Sequence, residues 1–234
     1  MRNSAKYWLI LIAICLTDCE TQPHQIEPDI DYTGQIGTLQ DIDSNIYQTI
    51  GIGTQIWMAE NLATERLNNG TAIPLITNDS IWAKYKEPAY CIYNNDSINL
   101  KRSLGLLYNY YTVNTGLLCP VGWHVPSWEE WDILANFAGG LAKAGGKLKK
   151  MQNPLWEGPN YGFTDNFGFN ALPGGRRRYP RGEFMDIGIA GYWWTTNSVD
   201  FLQADARIIQ NSNTSLYGVT STKHDGINVR CVKN

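Results

Sequence analysis

The chain has 234 residues, with 19 basic and 22 acidic side chains and a formal charge of −3. At 43% hydrophobic and 18% charged it is neither a disordered acidic tail nor a basic nucleic-acid binder. Twenty-two Gly and ten Pro, spread along the chain, point to short elements and many turns, and nine Trp and thirteen Tyr supply a large aromatic surface. No apolar run reaches the roughly 20 residues that span a bilayer.

The first segment carries Arg2 and Lys6 ahead of the apolar stretch 7–16 (YWLILIAICL). A basic flank and a short apolar run predict a secretory signal over residues 1–18. Leu16-Thr17-Asp18-Cys19 resembles a bacterial lipobox, in which the Cys becomes the acylated first residue of the mature chain. Asp18 stands where a small residue is usual, so cleavage without lipidation stays open. An acylated Cys19 would anchor the protein to a membrane, at the outer membrane or cell surface, without spanning it. Residues 19–36 are polar, include two prolines and show no period, which predicts a flexible tether ahead of a globular domain at 37–234.

Residues 39–58 alternate around Asp43-Ser44-Asn45 and Gly53-Thr54, the pattern of a three-stranded meander. Asp41-x-Asp43-x-Asn45 opens like a calcium loop, yet it lacks the central Gly and puts Ile52 where the closing Glu belongs. It reads as a turn. Residues 106–114 (LLYNYYTVN) fit strand or helix equally.

Ser127 stands three before Glu130, a capping box that satisfies two otherwise orphan amides. Trp128, Trp131, Leu134, Ala135 and Ala138 follow as one helical stripe, with both indoles expected in the core, and Gly139-Gly140 ends it. A second helix is expected around 142–150, weakened by Gly145-Gly146. Beyond Pro154 strands are expected at 167–172, 192–196, 204–209 and 227–232, linked by long loops. The result is an α+β fold with its helices grouped early. For Trp193 and Trp194, alternation buries one ring and leaves the other a candidate for exposure. The run Arg176-Arg177-Arg178, with Arg181 nearby, reads as a short solvated loop.

Cys15 falls inside the signal, so export leaves Cys91, Cys119 and Cys231, an odd number in an oxidising compartment. Bridging Cys119 to Cys231 would close a loop of more than a hundred residues, worth about 4–5 kcal/mol in the chain-entropy model. Cys91 then remains a small buried hydrophobe. No C-x-x-C spacing suggests a metal, and no cofactor is expected.

Several ordered motifs resemble one family. They are Ile56-Trp57-Met58-Ala59-Glu60-Asn61-Leu62, Leu107-Tyr108-Asn109-Tyr110-Tyr111, Cys119-Pro120-x-Gly122-Trp123-His124-Val125-Pro126-Ser127 and Ala144-Gly145-Gly146-Lys147-Leu148-Lys149. Gly168-Phe169, Ala171-Leu172-Pro173-Gly174-Gly175, Trp193-Trp194 and Val229-Arg230-Cys231-Val232 complete the set. From about residue 41 to residue 234 the chain resembles the Fibrobacter succinogenes major paralogous domain, abundant in surface proteins of the Bacteroidetes and Fibrobacteres. That family looks related to C-type-lectin-like folds, including the branch of the formylglycine-generating enzymes. The resemblance implies a twisted antiparallel sheet with about two helices and long loops, and it supports the Cys119–Cys231 pairing. It implies no known catalytic activity.

Three functions are weighed. A non-catalytic surface module could bind a glycan or a surface protein, with Trp156, Asn160, Tyr161, Arg178 and Tyr179 as candidate ligand-binding residues. Aromatic rings stack on the apolar faces of sugars while Asn and Arg bond hydroxyls. The calcium-lectin triplet Glu-Pro-Asn is missing, since Gly158-Pro159-Asn160 lacks its carboxylate. A purely structural or adhesin role in a surface assembly is the alternative. An enzyme of the formylglycine-generating type needs two reactive thiols near the C-terminus, and only Cys231 lies there. His24, His124 and His224 fall in no hydrolase motif, so the reading leans away from catalysis.

Overall fold

A computed structural model describes residues 30–151, 153–158 and 161–234. The expected signal, Cys19 and the tether as far as residue 29 lie outside the described residues. No helix among the described residues is long and apolar enough to cross a membrane.

The expected meander forms β1 (Ile36–Gln40), β2 (Ile46–Ile52) and β3 (Gln55–Met58), each antiparallel to the next. At its first turn Asp41 Oδ1 accepts the amides of Asp43 and Asn45, each at 2.9 Å, and Oδ2 accepts the Tyr47 hydroxyl at 2.6 Å. Asp43 is taken up by Thr64, Glu65 and Arg66. The acidic spacing therefore serves a turn.

A run of short elements follows: α1 (Asp79–Trp82), β4 (Tyr90–Cys91), α2 (Leu100–Leu104), β5 (Leu107–Tyr108), α3 (Tyr110–Val113) and β6 (Trp123–His124). The ambiguous segment 106–114 is thus strand and then helix. The switch falls at Asn109, whose side chain accepts the Thr112 amide and caps α3. The two main helices are α4 (Trp128–Phe137) and α5 (Leu141–Leu148). Both halves of the Ser127/Glu130 capping box are present. Trp131, Leu134, Ala135 and Ala138 are fully buried. Trp128 is half-buried, with the Arg207 guanidinium 3.6 Å above its ring.

The remaining strands are β7 (Gly174–Arg178), β8 (Glu183–Ile187), β9 (Ala190–Ser198), β10 (Gln203–Gln210), β11 (Leu216–Thr222) and β12 (Val232–Lys233). One five-stranded sheet has the order β1-β2-β3-β12-β6, a second β11-β10-β9-β7-β8, and β4-β5 pair separately. Among the described residues the helices all lie between residues 79 and 148, an α+β arrangement.

Three sequence expectations are corrected. Residues 167–172 form no strand, because Phe169 and Ala171 are drawn into the core beside α5, with a single bridge at Lys149↔Ala171. Residues 227–231 make only isolated bridges, to Tyr108 and Trp193. The arginine run is strand β7, not a solvated loop. Strand alternation sends Arg177 inward, fully buried, between the rings of Trp82 and Phe184 at 4.9 and 4.8 Å. Its guanidinium bonds the carbonyls of Ile76 and Thr77 and pairs with Asp79 at 2.5 Å.

Cys119 and Cys231 form a disulfide across 112 residues. It joins the loop before β6 to the end of the chain. Cys91 is free and fully buried, and burial pushes its thiol up to about 12.

Candidate functional site

The family-like motifs converge inside the protein. Asn61 is buried; its Oδ1 accepts from Trp193 Nε1 and from Arg230 Nε, both at 2.9 Å, and its Nδ2 donates to the Leu104 carbonyl at 2.8 Å. Arg230 is fully buried and donates its terminal nitrogens to the carbonyls of Phe169 and Asn170, with its plane 4.3 Å over the Phe169 ring. Burial lowers its pKa to about 9, opposed by the charges of Asp165 and Glu60. Asn228 donates to the carbonyls of Leu104 and Leu106. Around this polar hub pack Trp57, Trp131, Phe169 and Trp193, with Trp57 and Trp131 centroids 4.9 Å apart. The motifs therefore encode architecture, and ligand chemistry has to be sought on the surface.

The candidate residues fare differently. Trp156 is corrected: it is only 3% exposed, its Nε1 donates to the Ala171 carbonyl at 3.1 Å, and its ring meets Phe163 edge-on at 5.3 Å. It packs the core and presents no face for stacking. Asn160 lies outside the described residues. Tyr161 is exposed, while its carbonyl receives the Lys149 ammonium together with those of Gln210 and Asn213. Trp193 and Trp194 are both fully buried. β9 runs between two core clusters, so alternation delivers one ring to each and exposes neither.

Arg178 and Tyr179 lie together at the end of β7, both exposed. The Tyr179 amide donates to Asp225 Oδ1 at 2.8 Å. Tyr179 is 41% exposed, its ring lies 5.1 Å from the His224 imidazole at 32°, and Tyr111 meets the same imidazole edge-on at 5.4 Å. His224 is almost wholly buried; burial first and the Lys86 charge second lower its pKa, which keeps the ring neutral at pH 7. Of the four clustered arginines, Arg176 is paired with Asp186 at 3.0 Å and Arg177 is buried, which leaves Arg178 and Arg181 exposed and within two residues of the tyrosine in the chain. This is a shallow aromatic and basic platform.

Tyr161 belongs to a different region. It is held beside Gln210 and Asn213, at the turn between β10 and β11, whereas Tyr179 is bonded to Asp225, beyond the other end of β11. The seven-residue strand sets them roughly 20 Å apart. They do not form one site.

A concavity for which the sequence gives no signal lies over the hub. It is a groove of two lobes, about 410 and 320 Å³, which share Glu60, Asn61 and Arg102 as a wall. Its residues come from three distant stretches, so spacing along the chain carries no signal for it. No group of three or more metal-ligating side chains occurs among the described residues. His124 is held by Glu130 at 2.7 Å and Asn234 at 2.6 Å, where it ties α4 to the end of the chain.

Compared with known proteins, residues 50–233 match the family model described as the Fibrobacter succinogenes major domain. No curated protein and no solved structure matches the chain.

Proposed function

The chain belongs to the Fibrobacter succinogenes major domain family, and we propose that it is an exported surface protein, lipid-anchored through Cys19, whose domain is a non-catalytic recognition module for glycans. The domain is read as C-type-lectin-like in architecture, a rigid frame that presents connecting segments on its surface. The membrane, through the lipid anchor, and a glycan are its partners in this reading.

One observation carries the glycan reading: the exposed Tyr179 ring, stacked on His224 and next in the chain to the exposed Arg178. Sugar rings offer apolar C–H faces that stack on such a ring, and a guanidinium beside it donates to hydroxyls. His224 and Asp225 hold the tyrosine in place before a ligand arrives, which reduces the ordering lost on binding.

A glycan array probed with the full chain and with Tyr179→Ala tests this. Because the ring also packs on His224, the melting temperature of the variant is measured alongside and binding is compared where both proteins are folded. Loss of an aromatic anchor weakens binding by about tenfold or more. An unchanged binding pattern, or no binding by the wild-type chain to any glycan, overturns the reading.

A further inference from the structure

The groove over the hub has a chemistry that the Tyr179 platform lacks. Each lobe falls in the size range of small-molecule sites, about 300–1,000 Å³, and the shared wall makes them neighbours. Together they have room for two adjoining units of one extended ligand. The floor is already fixed: Asn61 is locked by Trp193, Arg230 and Leu104, and the Asn170 backbone N–H donates to Asp165 Oδ1 while its carbonyl accepts from Arg230. Little ordering is left for a ligand to impose.

The two lobes differ in charge. In the first, Lys101 is already paired with Glu65 at 2.5 Å. In the second, Arg102 and Lys150 enter no ion pair among the described residues. Glu60 lines both lobes, with its carboxylate receiving the Gln48 amide at 2.7 Å. Two cations against one carboxylate leave the second lobe with one net positive charge. Asn153, Asn170 and Ser103 line the same lobe. Asn170 Nδ2 donates to the Gly168 carbonyl, Ser103 Oγ to the Asn99 carbonyl and Asn153 Oδ1 accepts the Leu155 amide, which leaves the Asn153 amide nitrogen and the remaining lone pairs to match the hydroxyls of a sugar.

We propose that this groove binds an acidic oligosaccharide, with a uronic-acid carboxylate between Arg102 and Lys150 in the second lobe and a neutral sugar unit in the first. The planar guanidinium takes the carboxylate with two parallel hydrogen bonds and Lys150 adds a point charge. Glu60, on the shared wall, accepts from a sugar hydroxyl and disfavours a second carboxylate at that position. The groove shares no residue with the Tyr179 platform, so the two sites stand independently.

The test is calorimetric titration of the full chain in detergent with an aldobiouronic acid, one uronic acid linked to one neutral sugar, and with its methyl ester, at low salt. The acid binds and the ester binds at least tenfold more weakly. Arg102→Gln and Lys150→Gln each weaken the acid at least fivefold with an unchanged melting temperature, and Tyr179→Ala leaves the titration as it was. Equal binding of acid and ester, wild-type behaviour of both charge variants, or no binding of the acid at millimolar concentration overturns the proposal. Loss of acid binding in Tyr179→Ala alone also overturns the groove, and moves the acidic sugar to the platform.

Discussion

Lys149 brings an ammonium into the interior with three carbonyls, those of Tyr161, Gln210 and Asn213, as its acceptors and no carboxylate partner among the described residues. The nitrogen also sits 4.2 Å over the Phe163 ring. Desolvation lowers its pKa from 10.5 to about 8. Between those values the unfolded chain holds a proton that the folded chain has released, so stability rises with pH across that window. Above pH 10 the trend reverses. Burial raises the pKa values of Tyr47, Tyr108 and Tyr192, so the unfolded chain loses those protons first. Urea unfolding of the wild-type chain and of Lys149→Met at pH 7 to 11 measures both effects. At pH 7 the variant loses at least about 2 kcal/mol, because each carbonyl left without a donor costs about 1–3 kcal/mol less whatever water recovers. The wild-type rise above pH 8 is smaller in the variant, where Arg230 still contributes one. Equal slopes in the two proteins would remove the charge from Lys149.

At the scale of elements, α5 shows where helix propensity misleads. Gly145 and Gly146 read as a weakness in the sequence, yet both are buried where α5 crosses the chain before β11. A Cβ on Gly145 would come within 2.2 Å of the Ser215 carbonyl oxygen, and one on Gly146 within 2.6 Å of that of Gly162. Propensity alone predicts that Gly145→Ala gains about 1 kcal/mol. The packing predicts the opposite sign, a loss of about 1–3 kcal/mol from overpacking, measurable as a lower urea midpoint. A raised midpoint would mean that α5 does not approach Ser215 this closely. The helix α4 was legible because its cap, its stripe and its stop are all local, as were the meander and the strands β9 and β10. β7 was not, because an Arg-rich strand becomes recognisable only once Asp79 and Trp82, distant in the chain, are known to receive Arg177. The failed strand at 167–172 has the same origin, since its carbonyls go to Arg230 and its Phe169 to the hub. Of the candidate site, Arg178 and Tyr179 were placed together by adjacency alone. Trp156 was misjudged because a loop aromatic looks the same whether it faces solvent or, as here, roofs Lys149 at 5.7 Å.

Across the whole molecule, two five-stranded sheets and two main helices are fastened at the C-terminal segment. Cys231 is bridged to Cys119, Val232 pairs with both Trp57 and His124, and Arg230 reaches Asn61, Phe169 and Asn170. One short stretch thereby gathers the meander, the helical layer and the late loop. The central claim is that the family motifs build this interior, and that recognition is left to exposed residues such as Tyr179, Arg102 and Lys150. Equilibrium urea unfolding of Arg230→Met, with the disulfide intact, tests that claim most directly. Removing the guanidinium leaves two buried carbonyls short of donors and takes one of the two donors from Asn61, and the account predicts a loss of at least about 3 kcal/mol. A variant that unfolds within about 0.5 kcal/mol of the wild-type chain, the range of ordinary surface substitutions, would contradict it.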